Sequence, residues 1–144
     1  MSEPIRVSES EEVGNKKSMS TTATLYKNGL LSIETFSRSQ HRSEGLRGYV
    51  LVICMDSAGR AIWISKSYRC TTRCSKFDFT CASAGTDAWQ EKLPDEVGKY
   101  TTGLDIVQSD EGLGDFRNKV IQGIKTTKEI VDELKPIIQA ALSN

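Results

Sequence analysis

The chain has 144 residues, with 38% hydrophobic and 26% charged content, which is the size and composition of one globular domain. Nineteen basic and nineteen acidic residues cancel, which excludes a uniformly basic polyanion binder. The N-terminus is acidic and polar where a signal peptide would be apolar. The longest apolar run, 49–55, is far shorter than the roughly 20 residues of a membrane-spanning helix. We therefore expect a cytoplasmic protein without a transmembrane segment.

Three regions follow one another along the chain. Residues 1–20 are rich in Ser, Glu and Lys, and we expect a flexible N-terminal tail. Residues 21–112 contain short apolar and alternating runs separated by turn residues, which predicts an antiparallel β body of about six strands. Such a body is a β-sandwich or an open barrel. Residues 113–144 change to helical spacing and predict a C-terminal amphipathic α-helix.

The clearest hairpin signal in the body is Asn28-Gly29, which lies between two apolar runs. Asn-Gly is typical of a two-residue type I′ turn, because both central residues need positive φ. A two-residue loop places Tyr26 opposite Leu31 and predicts that both side chains belong to the core.

Two further segments of the body carry local predictions. The run 48–55 is apolar at both parities, which predicts a central strand covered on both faces. A turn at 56–59 should then lead into its hairpin partner, because Gly59 can supply the left-handed conformation. Residues 86–93 predict one or two helical turns that end at Pro94.

The C-terminal segment has an apolar stripe with alternating spacings of three and four residues. Pro136 lies opposite this stripe and predicts a kink or a break in the helix. We expect the stripe to pack on the β body or to form a self-association interface. The residues that we assign to this contact are Ile124, Val131, Leu134 and Ile138.

Charge is unevenly distributed along the body. Residues 38–76 contain eight basic residues against two acidic ones, and residues 78–111 contain eight acidic residues against two basic ones. Either the two segments neutralise each other in the fold, or the first forms a basic face for an anionic partner. The candidate residues for anion binding are Arg38, Arg42, Arg47, Arg69, Arg73 and Lys76.

The cysteines give no recognised metal-binding or catalytic pattern. Cys70, Cys74 and Cys81 are spaced unlike zinc-binding motifs, and Cys54 and the single histidine, His41, lie upstream. We predict no bound metal and no cofactor. A nucleophilic Cys–His pair remains one alternative, which would make the protein a small hydrolase.

No family resemblance emerges from these patterns, so the functional interpretation depends on the fold class. We expect a non-enzymatic binding or protein-interaction module that engages a protein partner or a second copy of itself. The first alternative is a membrane-acting β protein, lipid-binding or pore-forming, that uses the basic segment to contact anionic lipid. Nucleic acid is a further anionic partner that this segment could contact. The hydrolase is the second alternative.

Overall fold

The computed structural model describes residues 4–14, 17–39, 47–71 and 83–109, together with Lys119. This part of the chain is mostly β, with two antiparallel sheets and one short helix. The elements in chain order are β1 (Ile5–Gly14), β2 (Lys17–Leu25), β3 (Leu30–Ser39), β4 (Arg47–Met55), β5 (Ala61–Ile64), β6 (Tyr68–Thr71), β7 (Ser83–Lys92), α1 (Asp95–Tyr100) and β8 (Gly103–Ser109).

The two sheets differ in layout. Sheet 1 has the strand order β1-β2-β3-β7, and every neighbouring pair is antiparallel. Sheet 2 is built around β4, which pairs with β8 along one edge. The other edge of β4 pairs with β6 at its beginning and with β5 at its end. The mostly β class and the antiparallel pairing predicted from the sequence are confirmed.

The core lies between the two sheets. Alternation along β2 and β3 turns one apolar face of sheet 1 inward, with Ala23, Leu31 and Ile33 fully buried. From sheet 2, Val50 and Val52 meet them in the same apolar cluster. Burial of such side chains is worth about 1.5–3 kcal/mol each, so this layer is the main source of stability.

The central strand β4 is buried on both faces, as its sequence predicts. Val52 belongs to the cluster between the sheets, and Leu51 and Ile53 on the opposite face are 0% exposed. The turn after β4 also agrees with expectation, because Gly59 has a φ of +79° and its amide donates to the Asp56 carbonyl.

A polar network lies inside the sandwich, beside the apolar cluster. The Thr21 hydroxyl donates to Oε1 of Gln108 at 2.6 Å and lies 2.8 Å from the Thr35 hydroxyl. The Gln108 amide nitrogen donates to the backbone carbonyls of Glu9 and Met19, each at 3.3 Å. Because Gln108 is on β8 and the other residues are on β1 to β3, the network connects sheet 2 with sheet 1.

A second contact connects the sheets at the edge formed by β5, β6 and β7. The Glu91 carboxylate accepts hydrogen bonds from Trp63 Nε1, the Lys66 amide and the Tyr68 hydroxyl. Burial, followed by the bond to Glu91, raises the pKa of Tyr68. The Tyr68 ring stacks on Trp89 with centroids 5.0 Å apart. This cluster fixes β7 against sheet 2.

The N-terminal region differs from the expected flexible tail over 1–20, because residues 5–14 form β1 and β2 begins at Lys17. Two features of this segment support a strand. Ile5 and Val7 pack against the core on one face. Ser8 and Ser10 on the other face bond to hydroxyls of β2. A polar composition is compatible with an edge strand when only one face needs apolar residues.

The first hairpin forms where the sequence predicts it, but the expected pairing is wrong by one residue. Leu25, and not Tyr26, pairs with Leu31, so the loop contains three residues. Gly29 supplies a left-handed conformation here, with a φ of +84°, and its amide donates to the Tyr26 carbonyl. This register buries Leu25 and leaves Tyr26 exposed.

Other local predictions have different outcomes. Residues 86–93 lie mainly in the extended strand β7, so the predicted helical turns there are wrong. The helix forms after Pro94 instead. The described residues contain eight strands, two more than expected. The predicted C-terminal helix, 113–144, lies outside the described residues except for Lys119.

Candidate functional site

Helix α1 crosses one end of the sandwich, which we call the α1 end. The chain enters the helix from β7, where the Leu93 amide donates to the Gly29 carbonyl at 2.9 Å. It leaves towards β8, where the Thr102 amide donates to the Met55 carbonyl at 2.8 Å. The helix is therefore fixed to the β2–β3 turn on one side and to β4 on the other.

The helix packs directly on the β2–β3 turn through two glycines. A Cβ atom added at Gly98 would lie 3.2 Å from the Cα of Gly29, which is closer than ordinary van der Waals contact. A side chain at Gly98 would therefore push the helix away from the turn. The absence of a side chain at Gly98 sets the distance between α1 and the hairpin.

The β4–β5 turn on the other side of α1 is held by Asp56. Its Oδ1 accepts from the amides of Ala58 and Arg60, and its Oδ2 accepts from Arg60 Nε at 2.9 Å. These bonds, first among them the one from the Arg60 amide, keep the pKa of Asp56 below its usual value. The α1 end is thus built from two ordered turns and a helix fixed between them.

Between α1 and the β2–β3 turn is a cleft of about 600 Å³, which we call the Tyr26 cleft. Its floor includes Leu25 at the end of β2. Polar groups from the turn and the helix surround it. Those that could contact a ligand are Tyr26, Lys27, Asn28, Asp95, Lys99 and Thr102.

Between α1 and the β4–β5 turn is a second cleft of about 400 Å³, which we call the Tyr100 cleft. Ile62 and Val97 provide apolar surface, and Asp56, Glu96 and Tyr100 provide polar atoms. The six-residue helix thus separates two concave surfaces at one end of the molecule.

Both clefts have an exposed tyrosine in their wall. Tyr26 is 43% exposed and Tyr100 is 55% exposed, although large aromatic side chains usually bury more of their surface. The Lys99 ammonium lies 5.5 Å from the centre of the Tyr100 ring, a cation–π distance. Lys99 also lines the Tyr26 cleft, so its side chain lies between the two clefts and contacts the tyrosine of the other one.

The clefts differ in charge. The Tyr26 cleft has the ammonium groups of Lys27 and Lys99 against the single carboxylate of Asp95. The Tyr100 cleft has two carboxylates, from Asp56 and Glu96, against the guanidinium of Arg60. One cleft therefore favours an acidic group and the other a basic group.

Three of the residues predicted to bind an anion, Arg38, Arg47 and Arg69, belong to strands at the opposite end of the sandwich, where β3 and β6 end and β4 begins. There, Arg38 is exposed on the outer face of sheet 1, and Arg69 is exposed on the outer face of sheet 2. These two side chains therefore do not share one face. The backbone of Arg47 starts β4. The remaining candidates, Arg42, Arg73 and Lys76, lie outside the described residues.

Two of the four cysteines, Cys54 and Cys70, lie in the described part of the chain. Cys54 and Cys70 are buried in the core as free thiols. Burial raises the pKa of Cys54 to about 12 and also raises that of Cys70, so both stay protonated at neutral pH. Cys74, Cys81 and His41 lie outside the described residues.

Three further findings concern metals, membranes and self-association. Within the described ranges, His, Cys, Asp and Glu side chains do not gather in threes at a potential metal site. None of the helical segments described here could cross a membrane. The helix residues expected to pack or self-associate, Ile124, Val131, Leu134 and Ile138, fall outside the described part of the chain.

Sequence reasoning missed the α1 end for two physical reasons. A one-residue error in the hairpin register placed Tyr26 in the core. The sequence analysis also ended its helical prediction at Pro94, although Pro followed by Asp95, Glu96 and a later Lys99 is a helix-start pattern with favourable charges at both ends. That pattern was the available signal for α1.

Comparison with known proteins finds no matching family model, no matching curated protein and no matching solved structure. The geometry of the described residues therefore carries the functional argument.

Proposed function

We propose that this protein is a non-enzymatic binding module that holds a protein partner at the α1 end. The observation that carries the proposal is the pair of clefts on either side of a fixed helix, each with an exposed tyrosine in its wall. Tyrosine is enriched in protein-recognition surfaces because it offers a large contact area at a small cost in conformational entropy.

Preorganisation supports this proposal. The helix is held by backbone hydrogen bonds at both ends and by the contact of Gly98 with Gly29. The β4–β5 turn is held by Asp56. A surface that is already ordered loses little entropy when a ligand binds, so more of the contact energy becomes affinity.

The charges of the clefts indicate what the partner should present. An acidic side chain would fit beside Lys27 and Lys99, and a basic side chain would fit beside Glu96. A segment with both charges, placed across α1, would contact both clefts. Opposite charges at matching positions raise the association rate and select against partners with the reverse order.

The buried thiols support the non-enzymatic part of the proposal. A thiol nucleophile acts as the thiolate, and the raised pKa values of Cys54 and Cys70 oppose that form. Free buried thiols are also typical of a reducing compartment, which agrees with the expected cytoplasmic location.

The test is affinity capture with two matched variants. The full chain would be immobilised and exposed to an extract of the native cells, next to a Tyr26→Ser/Tyr100→Ser variant and a Lys66→Ser control. Lys66 is exposed, lies between β5 and β6, and lines neither cleft. We expect a specific partner that the tyrosine variant loses and the control retains. A partner retained equally by all three proteins would contradict the proposed site.

A second candidate function is binding of an anionic partner at the end of the sandwich opposite α1, which carries Arg38 and Arg69 and which we call the basic end. The supporting observation is that Arg38 near the end of β3 and Arg69 in β6 lie at the same end of the sandwich, where β4 and β7 begin. Sedimentation with vesicles of anionic lipid, compared with neutral vesicles, tests the membrane form. Binding that falls with salt and with Arg69→Ala would support this alternative.

A further inference from the structure

Small side chains predominate on the outer face of sheet 1. On β1 and β2, the outward residues are mainly serine and threonine, and their hydroxyls form hydrogen-bonded pairs such as Ser8 with Thr22. On β7, the outward residues include Ala84, Thr86 and Ala88. Short side chains allow another flat surface to approach this sheet closely.

Phe36 stands in the middle of this face. It is on β3, between Ser20 of β2 and Thr86 of β7, and 46% of it is exposed. An aromatic ring that projects from a layer of small residues has much apolar surface in contact with water. Phenylalanine is among the residues that are enriched where one protein surface meets another.

The charges beside Phe36 are self-complementary. Glu34 lies two residues before it and Arg38 two residues after it, and both are exposed on the same face of the same strand. A two-fold axis that lies between two stacked copies and crosses β3 at Phe36 makes the two β3 strands antiparallel. Glu34 of each copy then faces Arg38 of the other, and the Phe36 rings meet at the centre.

The same operation brings no like charges together on the other strands. On β1, Ser10 is level with Phe36, so Glu12 of one copy is placed over Ser8 of the other. On β7, Ala84 and Ala88 exchange places. The surface is therefore compatible with an isologous contact, in which both copies use the same residues.

The size of the face limits the area that such a contact can bury. Four strands about 4.8 Å apart and about 30 Å long give about 600 Å² per copy, or about 1,200 Å² for two. This area is at the lower limit of stable interfaces, which bury about 1,200–2,000 Å² in total. A contact of this size should be reversible and dependent on concentration.

We infer that the outer face of sheet 1 is a self-association surface, through which two copies of this chain stack with Phe36 at the centre. The inference is independent of the proposed ligand site. In such a dimer the two β3 strands run in opposite directions, so the two α1 ends are at opposite ends of the assembly. Each dimer would then present two identical sites that face away from each other.

The test is sedimentation equilibrium of the full chain from micromolar to near-millimolar concentration, with charge variants in parallel. We expect the parent protein to shift from monomer towards dimer. Phe36→Ser should remain monomeric over the same range with an unchanged melting temperature, because the ring is exposed. Glu34→Arg alone should weaken dimerisation at least fivefold, because it places arginines opposite one another.

The double exchange Glu34→Arg/Arg38→Glu restores opposite charges and should recover most of the parent's dimerisation. The recovery follows from this arrangement because positions 34 and 38 face each other across the two-fold axis. A parent protein that stays monomeric at every concentration would overturn the inference. So would a dimer that is insensitive to Phe36→Ser, or a double exchange as weak as the single variant.

Discussion

Breaking the buried network between Thr21, Thr35 and Gln108 should destabilise the protein in a strongly non-additive way. Thr21→Val keeps the shape but removes the hydroxyl that donates to Gln108 at 2.6 Å and contacts Thr35 at 2.8 Å. Gln108→Met removes that acceptor and also the amide that donates to two backbone carbonyls. Each single variant leaves polar atoms buried without their partners.

The expected losses in the free energy of unfolding follow from the number of buried polar atoms that each variant leaves without a partner. A buried polar atom that loses its partner costs about 1–3 kcal/mol, so each single variant should lower the free energy of unfolding by about that amount. The double variant removes both sides of the Thr21–Gln108 bond. Its cost should therefore be smaller than the sum of the two by about 0.5–3 kcal/mol.

Urea unfolding followed by tryptophan fluorescence provides the assay, because Trp63 and Trp89 lie near the junction of the two sheets. For a domain of this size, a loss of 1 kcal/mol lowers the melting temperature by about 4 °C. Additive costs for Thr21→Val and Gln108→Met would refute the reasoning, since they would mean that the two side chains are not coupled across the sandwich.

Three further predictions concern single residues. Gly48→Ala should lower the free energy of unfolding by about 1–3 kcal/mol through overpacking. The added Cβ would lie 2.7 Å from Met19 Sδ and 2.9 Å from Cys70 Sγ. An unchanged urea midpoint would rule this out. Gly29→Val should cost at least about 1–2 kcal/mol, because a β-branched residue resists the φ of +84°, and unaltered thermal stability would argue against that turn. Asp105→Asn should raise the melting temperature at neutral pH, because burial raises the pKa of this carboxyl and so penalises its charged form in the folded state. The gain should shrink as the pH falls through the folded-state pKa towards the unfolded value of about 3.9, where the parent carboxyl is also protonated; a pH-independent difference would contradict this cause.

The sequence predicted the parts of the fold that depend on local patterns. The apolar run in β4 identified a two-sided central strand, and Gly29 and Gly59 identified two hairpin turns. These signals work because burial on both faces and positive φ each restrict the residue type strongly. Pairing between strands that are distant in sequence, such as β3 with β7 or β4 with β8, does not require a particular short-range residue pattern, so the sequence did not predict it.

The candidate site was less accessible to sequence reasoning. Tyrosine is common both in protein cores and on surfaces, so the residue type alone does not show that Tyr26 and Tyr100 are exposed. For Tyr26, the register of the first hairpin decides that the side chain is outside the core. The position of α1 depends on backbone hydrogen bonds to Gly29 and Met55, which the residue types do not specify. The basic cluster was visible in the sequence, but its described members, Arg38 and Arg69, point away from each other on different sheets.

The most direct test of the central claim is site-specific photo-crosslinking in the native cells. A photoreactive phenylalanine analogue would replace Tyr100 at the α1 end or, in a separate variant, Arg69 at the basic end. Our account predicts a discrete adduct with another protein from position 100 and none from position 69. An adduct from position 69 alone would contradict the account and place the partner at the basic end.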